Sequence, residues 1–346
     1  MDSWRPTLNL VQKCSTCFGM LMNLVLLFLI FRRSPQNLGV YKYLMVYITL
    51  FELFFGALEL LTIPDMWTKD SAFIVVVDPE KAYLPAWCLQ VSVLIYCGSF
   101  AVSLAIFGIQ FVYRYQVLSG NSDWTSSHPL NLLVWLGSPL IFAGIWVTSC
   151  AVFLGHNSFV DKVLKEFIIP KYAHQSMSVD RIGLVAILFY PQTGNGETGI
   201  NWDSFIGMSF TTTVLLTSES IMIFFGVKCY LATKSLMSES VCSPEFRRLQ
   251  WQLFYALVSQ TVIPIVFMQL PVSMVYLSIF LNASTEFFGV LLAVTISFYL
   301  ATDALPTIFI IKDFRKTVID WVMCRKMSPK VSSIAPNNSR ATVPVI

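Results

Sequence analysis

Seven apolar stretches, separated by charged residues, prolines or polar clusters, dominate this chain. Each approaches or exceeds the roughly 20 residues that a helix needs to cross a membrane. The predicted spans cover residues 14–31, 40–63, 86–112, 130–154, 204–231, 251–280 and 287–311. The pattern predicts an all-α membrane protein built as a seven-transmembrane helix bundle.

The composition argues against a water-soluble globule. Of the 346 residues, 55% are hydrophobic and 12% are charged, and the mean hydropathy is +0.66. Soluble domains carry about 25% charged residues, so this chain lacks the polar side chains that would cover a surface in water. A soluble enzyme is therefore close to excluded.

No motif of catalytic, metal or cofactor chemistry is visible. The eight cysteines lack a metal-binding spacing, and the one close pair, Cys14 and Cys17, lies in an apolar stretch without histidine partners. The net charge of +3 is too small to indicate a nucleic-acid-binding protein. We therefore expect no enzyme activity, no cofactor, no metal and no nucleic-acid partner.

Lysines and arginines divide unequally between the two sides of the predicted bundle. With the N-terminus outside, fifteen of the 23 fall on the inner side and eight on the outer side, four of the eight within the long 155–203 loop. Because basic residues near span ends stay cytoplasmic, we expect residues 1–13 outside. Residues 312–346 are then a cytoplasmic tail, largely disordered after residue 328.

Four carboxylates fall inside the predicted spans. An acidic group at mid-membrane costs roughly 2.5–3.5 kcal/mol, so it usually faces the bundle interior or a partner. For Glu52 and Asp303 we favour a polar bundle core over a ligand contact. Glu59, on the same helical face as Glu52, is expected either in that core or extended to the outer boundary. The fourth is Glu219.

The halves of the spans on the predicted outer side could form a ligand pocket. Such pockets are mostly apolar with a few polar contacts, although ordinary helix packing is the alternative for each residue. No span interior holds a lysine, so a retinal Schiff base is excluded. The candidate ligand-binding residues are Tyr96, Ser99, Phe100, Ser103, Phe205, Gln269 and Tyr276.

Three prolines interrupt the last two predicted spans: Pro264 and Pro271 in the sixth and Pro306 in the seventh. Each removes a backbone hydrogen bond and favours a kink. We consider them candidate hinges, while noting that membrane helices also tolerate proline where neighbours satisfy the freed carbonyls.

Basic and aromatic residues collect at the predicted inner face, at the end of the third span, before the sixth and after the seventh. One interpretation is that they only orient the helices and contact anionic lipid. The other is a surface that binds an intracellular partner. The candidate coupling residues are Tyr113, Arg114, Arg247, Arg248, Lys312 and Arg315.

Four strings together resemble the nematode seven-transmembrane chemoreceptors of the Str (serpentine receptor) type, a branch of the G-protein-coupled receptors. They are NLGVYKYLM (37–45), FVYRY (111–115), LQWQLFYALVSQTVIPIVFM (249–268) and DALPTIFIIKDFRK (303–316). Their spacing suits the family from the first inner loop to the start of the tail, and Glu59 also matches a family position.

The resemblance implies an odorant or chemical receptor in the ciliary plasma membrane of sensory neurons. Its partners would be a small, volatile ligand, the lipid bilayer and a heterotrimeric G protein. Arg114 then takes the place of the arginine that rhodopsin-like receptors use at the G-protein interface. Ligand binding would move the sixth span at Pro264 and expose Arg114, Arg247 and Arg248.

The chain departs from related patterns at several positions. Tyr113 stands where rhodopsin-like receptors have an acid before the arginine, so their acid–arginine lock is absent. Leu300 and Ala304 replace prolines usual around the seventh-span aspartate, and Trp251 and Tyr255 replace basic residues common in the sixth span.

The 155–203 loop lacks the cysteine that commonly tethers it to the third span in rhodopsin-like receptors. Its segment 162–172 is equally compatible with a short interfacial helix and with a solvated loop. Of two glycosylation sequons, Asn282 lies in a very short outer turn and Asn337 on the predicted cytoplasmic tail, where it should stay unmodified.

Three other functions remain open from the residues. A seven-span ligand-gated channel of the insect odorant type has inverted topology, which the basic-residue count disfavours. A transporter would more often show repeated halves, and none is evident. A degenerate receptor that folds but does not signal fits the departures at Leu300, Ala304, Trp251 and Tyr255.

Overall fold

The computed structural model of the chain describes residues 5–33, 41–121, 125, 128–171, 182–192, 198–238 and 244–323. Within them, seven helical spans are long and apolar enough to cross a membrane, which confirms the predicted bundle. In chain order the helices are α1 (Arg5–Arg33), α2 (Tyr41–Thr62), α3 (Leu89–Leu118), α4 (Pro129–Phe153), α5 (Ser158–Val163), α6 (Trp202–Ser238), α7 (Pro244–Pro264), α8 (Leu270–Phe280), α9 (Glu286–Thr302), α10 (Ala304–Ile310) and α11 (Lys312–Val322).

The first four spans are α1 to α4, and α6 is the fifth. The sixth combines α7 and α8, the seventh combines α9 and α10, and α5 and α11 lie outside the spans. Several helices extend beyond the predicted apolar ranges, as α3 does to Leu118 and α6 to Ser238. Hydropathy marks only the part that suits hydrocarbon, whereas backbone hydrogen bonding continues into the aqueous interface.

The third span is the centre of the bundle. It contacts the second, fourth, fifth and sixth spans, and 78% of the residues in its most apolar 18-residue stretch are buried. The first span packs between the second and the seventh. Gly19 permits this contact, because a Cβ there would lie 2.1 Å from the carbonyl oxygen of Leu300.

The sixth and seventh spans are irregular near their prolines. Between Pro264 and Pro271 the helix forms a π turn over Ile265–Gln269. The seventh span is interrupted at Asp303, between the helices that end at Thr302 and begin at Ala304. Pro306 has no N–H, so the carbonyl of Thr302, four residues earlier, loses its usual helical donor. The span is thus interrupted even though Leu300 and Ala304 stand where the family usually has prolines.

One end of the bundle carries a three-stranded antiparallel sheet that the sequence analysis did not predict. Its strands β1 (Asp65–Lys69), β2 (Ala72–Val77) and β3 (Gly183–Leu188) run in the order β1-β2-β3, with Trp67 opposite Ile74 and Val75 opposite Val185. The β-branched run of β2 favours a strand. It was missed because it is much shorter than a span and its partner β3 is distant in sequence.

The sheet is buried on both faces. One face, with Met66, Phe73 and Val185, joins the core of the seven spans. The other face, with Ile74 and Leu184, packs against the earlier part of the 155–203 loop, at Val160, Leu164 and Ile168. We call this part of the molecule the sheet end.

The 155–203 loop is helical where it covers the sheet. Asn157 caps α5 by accepting hydrogen bonds from Phe159 and Val160, and the helix continues as a π turn (Leu164–Ile168) and a 3-10 turn (Ile169–Lys171). Of the two alternatives for 162–172, the structure shows a helix as far as Lys171, packed on the sheet.

The described chain ends in the amphipathic helix α11, which packs against the first span through Phe28 and Trp321, with ring centroids 5.4 Å apart. Asn337 and the predicted disorder after residue 328 lie outside the described residues. Asn282 is exposed in the turn between the sixth and seventh spans, with a φ of 53°.

Candidate functional site

A small apolar cavity lies between the spans directly beneath the sheet. Its volume is about 60 Å³, and its walls come from the third to seventh spans and from strands β1, β2 and β3. Phe100 and Trp146 pack against each other there, with ring centroids 5.7 Å apart. The polar groups among its lining residues are few, so the cavity favours a small, largely apolar molecule.

Three of the seven predicted pocket residues, Tyr96, Phe100 and Tyr276, line this cavity. Ser99 and Ser103 instead donate hydrogen bonds to backbone carbonyls one turn earlier in their own helix. The ring of Phe205 packs against that of Phe189, with centroids 4.5 Å apart, and Gln269 lies beside Glu219. Phe205 and Gln269 therefore do not line the cavity.

Several lining residues were not predicted. The sheet contributes Met66, Phe73, Val75, Val185 and Ile187, which the sequence analysis could not assign because it predicted no strands. The fourth span contributes residues spaced four apart on one helical face, a pattern that could have been recognised. These are Trp146, Cys150 and Leu154.

Hydrogen bonds hold the sheet over the cavity where the loop disulfide of other receptors is missing. The Gln90 side chain donates to the Leu184 carbonyl and accepts from the Leu184 N–H, both at 2.9 Å. Ala186 donates to the Leu154 carbonyl at 2.8 Å. The Thr68 hydroxyl accepts from the Gly289 N–H at 2.8 Å. The strands are thereby joined to the third, fourth and seventh spans.

The predicted core carboxylates lie below the cavity in two buried polar groups, one around Glu59 and one around Glu52 and Asp303. Glu59 is 4% exposed, accepts from the Ser297 hydroxyl at 3.4 Å and lies beside the hydroxyl of Tyr96, a cavity residue. Tyr299 donates to Glu52, which lies close enough to Asp303 for the two carboxyl groups to interact.

Asp303 connects the group around Glu52 to the sixth span. Its side chain is 1% exposed, and its backbone carbonyl accepts from Gln260 at 3.4 Å. The fourth carboxylate, Glu219, is only half-buried beside Gln269. One polar group therefore adjoins the cavity at Tyr96, and the other joins the second, seventh and sixth spans.

The opposite end of the bundle, which we call the basic end, holds the candidate coupling residues. Arg114 is 3% exposed and donates to the carbonyl of Gln250 at 2.8 Å and to its side-chain oxygen at 3.2 Å. Tyr113 is buried against Tyr41 and Trp135.

The remaining members of the basic end differ in exposure. Arg247 is half-buried, whereas Arg248, Lys312 and Arg315 are exposed. Trp251 and Tyr255, the two replacements for basic residues, stack with ring centroids 5.1 Å apart. Among the described residues, no group of three or more His, Cys, Asp or Glu side chains is arranged to hold a metal ion.

Comparisons with known proteins agree with this architecture. A sequence model of the family described as "Serpentine type 7TM GPCR chemoreceptor Str" matches residues 8–319. The chain is 30% identical to G-protein coupled receptor str-217 of Caenorhabditis elegans, covering 87% of this chain and 85% of that one. It is 29% identical to serpentine receptor class r-10 of Caenorhabditis briggsae, covering 88% and 87%.

The fold also resembles a solved receptor. The crystal structure of squid rhodopsin superposes with a TM-score of 0.59 at 12% identity, covering 94% of this chain and 88% of that one, which is a likeness of fold alone. The family match over nearly the whole length identifies a G-protein-coupled chemosensory receptor and not a member of an enzyme family. The chain belongs to the serpentine Str family of seven-transmembrane chemoreceptors.

Proposed function

We propose that this receptor binds a small, largely apolar molecule in the cavity beneath the sheet and activates a heterotrimeric G protein at the basic end. The observation that carries the proposal is the cavity itself, lined by five spans and three strands and adjoining the buried polar pair Tyr96 and Glu59.

The ligand class follows from the cavity walls. Aromatic and aliphatic side chains provide most of the surface, and Tyr96, Tyr276 and Thr211 supply hydroxyl groups. A volume of about 60 Å³ is well below the roughly 300–1,000 Å³ of usual ligand pockets, so the cavity as it stands admits only a molecule of a few non-hydrogen atoms. Small, weakly polar molecules of this kind are volatile, which fits an odorant.

Coupling requires a rearrangement at the basic end, because Arg114 is buried against Gln250 of the sixth span. Ligand binding shifts the equilibrium toward a state in which the sixth span has moved and Arg114 faces the G protein. The π turn between Pro264 and Pro271 lies next to Val272, a cavity residue, and is the place where that span bends.

The sheet end faces the outside of the cell and the basic end faces the cytoplasm, with the receptor in the plasma membrane of a sensory cilium. The excess of lysine and arginine at the basic end supports this orientation. Epitope tags at each terminus test it in intact and permeabilised cells. A hidden N-terminus with an accessible C-terminus would contradict the orientation and favour the channel of inverted topology.

The ligand site is tested by filling the cavity. Val272→Phe places a larger side chain in the cavity, whereas Val262→Phe makes the same change on the lipid-facing surface of the same span, where Val262 is 51% exposed. In cells screened with volatile compounds and a G-protein reporter, we expect Val272→Phe to lose the response and Val262→Phe to keep it. Equal responses at equal surface expression would reject this cavity as the ligand site.

The coupling residue is tested in the same cells. Arg114→Ala should abolish signalling without loss of surface expression, and normal signalling would show that Arg114 has no such role. If the unmodified chain responds to no compound and shows no basal activity, the degenerate, non-signalling receptor becomes the better explanation.

A further inference from the structure

Two cysteines from neighbouring spans lie together in the wall of the cavity. Cys97 of the third span and Cys150 of the fourth both line it, and their side chains lie close enough to interact. Both are free thiols, Cys150 buried and Cys97 half-buried.

The backbone explains why the two thiols meet. A Cβ on Gly98 would lie 2.5 Å from a methyl carbon of Val147, so the absence of a side chain at residue 98 allows the third and fourth spans to approach closely at this level. Cys97 precedes Gly98, and Cys150 lies one helical turn beyond Val147. Close packing of this kind is needed for a disulfide between two helices, because the two Cα atoms of a disulfide are usually about 4.4–6.8 Å apart.

The surroundings favour a neutral product. The cavity is apolar, and a disulfide carries no charge and needs no hydrogen-bond partner there. Hydrogen peroxide is small and neutral, so it can enter an apolar cavity that excludes charged oxidants.

We propose that Cys97 and Cys150 form a dithiol site for peroxides, which oxidise the pair to a disulfide joining the third and fourth spans across the ligand cavity. The Cys97 sulfur, deprotonated as it reacts, attacks one peroxide oxygen. The O–O bond breaks, water leaves, and Cys97 becomes a sulfenic acid. The Cys150 sulfur then attacks the Cys97 sulfur, the S–O bond breaks, and a second water leaves. Two thiols are thus oxidised and one hydrogen peroxide is reduced to two waters.

The chemical test uses the full chain in lipid nanodiscs. After treatment with hydrogen peroxide, the protein is denatured, its remaining thiols are blocked with a maleimide, and its peptides are analysed by mass spectrometry without reductant. We expect a linked peptide containing Cys97 and Cys150, lighter by two hydrogens than its parts and released by dithiothreitol. It should be lost in Cys97→Ala and in Cys150→Ala.

The matched control is Cys14→Ala, which removes an exposed thiol on the first span and should leave the linked peptide intact. If Cys150→Ala fails to reach the membrane, Cys97→Ala, at the half-buried position, still decides the result. Recovery of Cys97 and Cys150 as free thiols, of a sulfinic acid on either, or of a link to Cys88 would overturn the proposal.

The effect on signalling rests on the proposed ligand site and is measured separately. Peroxide treatment should reduce the ligand response of the unmodified chain and not that of Cys97→Ala. A linked peptide with an unchanged response would reject the cavity as the ligand site and leave the dithiol site established, whereas absence of the linked peptide rejects the dithiol site alone.

Discussion

Arg114 and Gln250 illustrate how single residues define the state of the basic end. An arginine with 3% exposure needs partners for its charge, and here Gln250 of the sixth span supplies two acceptors while Tyr41 and Cys229 also contact the guanidinium. Rhodopsin-like receptors use an acid beside the arginine, where this chain has Tyr113. A neutral amide holds the guanidinium less strongly than a carboxylate does. In the proposed mechanism, the contact that holds the basic end closed is therefore a weaker one than an acid–arginine pair.

This contact predicts that Gln250→Ala raises basal signalling. The substitution removes the side-chain acceptor and leaves the carbonyl acceptor, so the closed state loses about 1 kcal/mol and basal activity rises severalfold. A G-protein reporter without ligand measures the change. Gln252→Ala, two residues along the same helix, removes only the acceptor for the Lys312 N–H and should leave basal activity unchanged.

A second residue-scale prediction concerns Asp78, which follows strand β2 outside the spans. Burial raises the pKa of its carboxyl group, although the side chain accepts from the Glu80 N–H at 2.9 Å. Because the folded state holds this proton more tightly than the unfolded chain, its contribution to stability is full below the ordinary pKa and is lost as the pH rises through the folded pKa.

We therefore expect Asp78→Asn, which retains an acceptor for Glu80, to raise the melting temperature at about pH 7 and to have little effect near pH 3, below the ordinary pKa of about 3.9. Thermal unfolding in nanodiscs at several pH values measures this difference. A gain that is equal at both pH values would show that the carboxylate charge is not its cause.

At the scale of elements, the sheet covers one end of the bundle and supplies part of the cavity wall. Gln90 joins strand β3 to the third span by satisfying both backbone groups of Leu184. Gly183 brings strand and helix together, since a Cβ there would lie 2.5 Å from the carbonyl oxygen of Leu89. These contacts replace, without covalent bonds, the disulfide that other receptors use.

The close approach at Gly183 predicts that Gly183→Ala displaces strand β3. Because the obstacle is backbone rather than a flexible side chain, the cost should be about 1–3 kcal/mol, seen as a lower melting temperature and faster amide exchange in β3. Gly137→Ala is the matched control, since a Cβ at Gly137 has no neighbour within 4 Å. Equal stability of the two variants would contradict this account of the sheet.

For the whole molecule, two buried polar groups occupy the middle of the bundle between its two ends. In one, Glu59 adjoins the cavity residue Tyr96. In the other, Glu52 lies near Asp303, whose carbonyl accepts from Gln260 of the sixth span. Because buried carboxylates are costly in a membrane, we expect the second group to take part in coupling.

Tyr299→Phe tests this role, because it removes the hydroxyl that donates to Glu52 without changing the cavity walls. Leaving the buried carboxyl group without this donor should cost about 1–3 kcal/mol of stability. The double variant Tyr299→Phe/Glu52→Gln should recover much of it. Ligand affinity should persist while G-protein activation falls. A loss of affinity equal to the loss of activation would place Tyr299 in the ligand site instead.

The sequence alone determined the seven spans, because crossing a hydrocarbon layer requires long apolar helices and each leaves a local signal. It also placed Tyr96, Phe100 and Tyr276 among the pocket candidates and Glu52, Glu59 and Asp303 among the core candidates, since apolar pockets and buried charges follow from residue type and depth.

Only the tertiary structure decided the rest. Strands β1 and β2 are neighbours in the chain, but β2 pairs with β3, whose residues lie more than a hundred positions away, so no local pattern predicts the full sheet or the cavity walls it supplies. The neighbours Gln90 and Leu184, Arg114 and Gln250, and Cys97 and Cys150 are likewise chosen by helix packing. The membrane dictates which segments are helices, whereas side-chain contacts between those helices dictate which residues form the site.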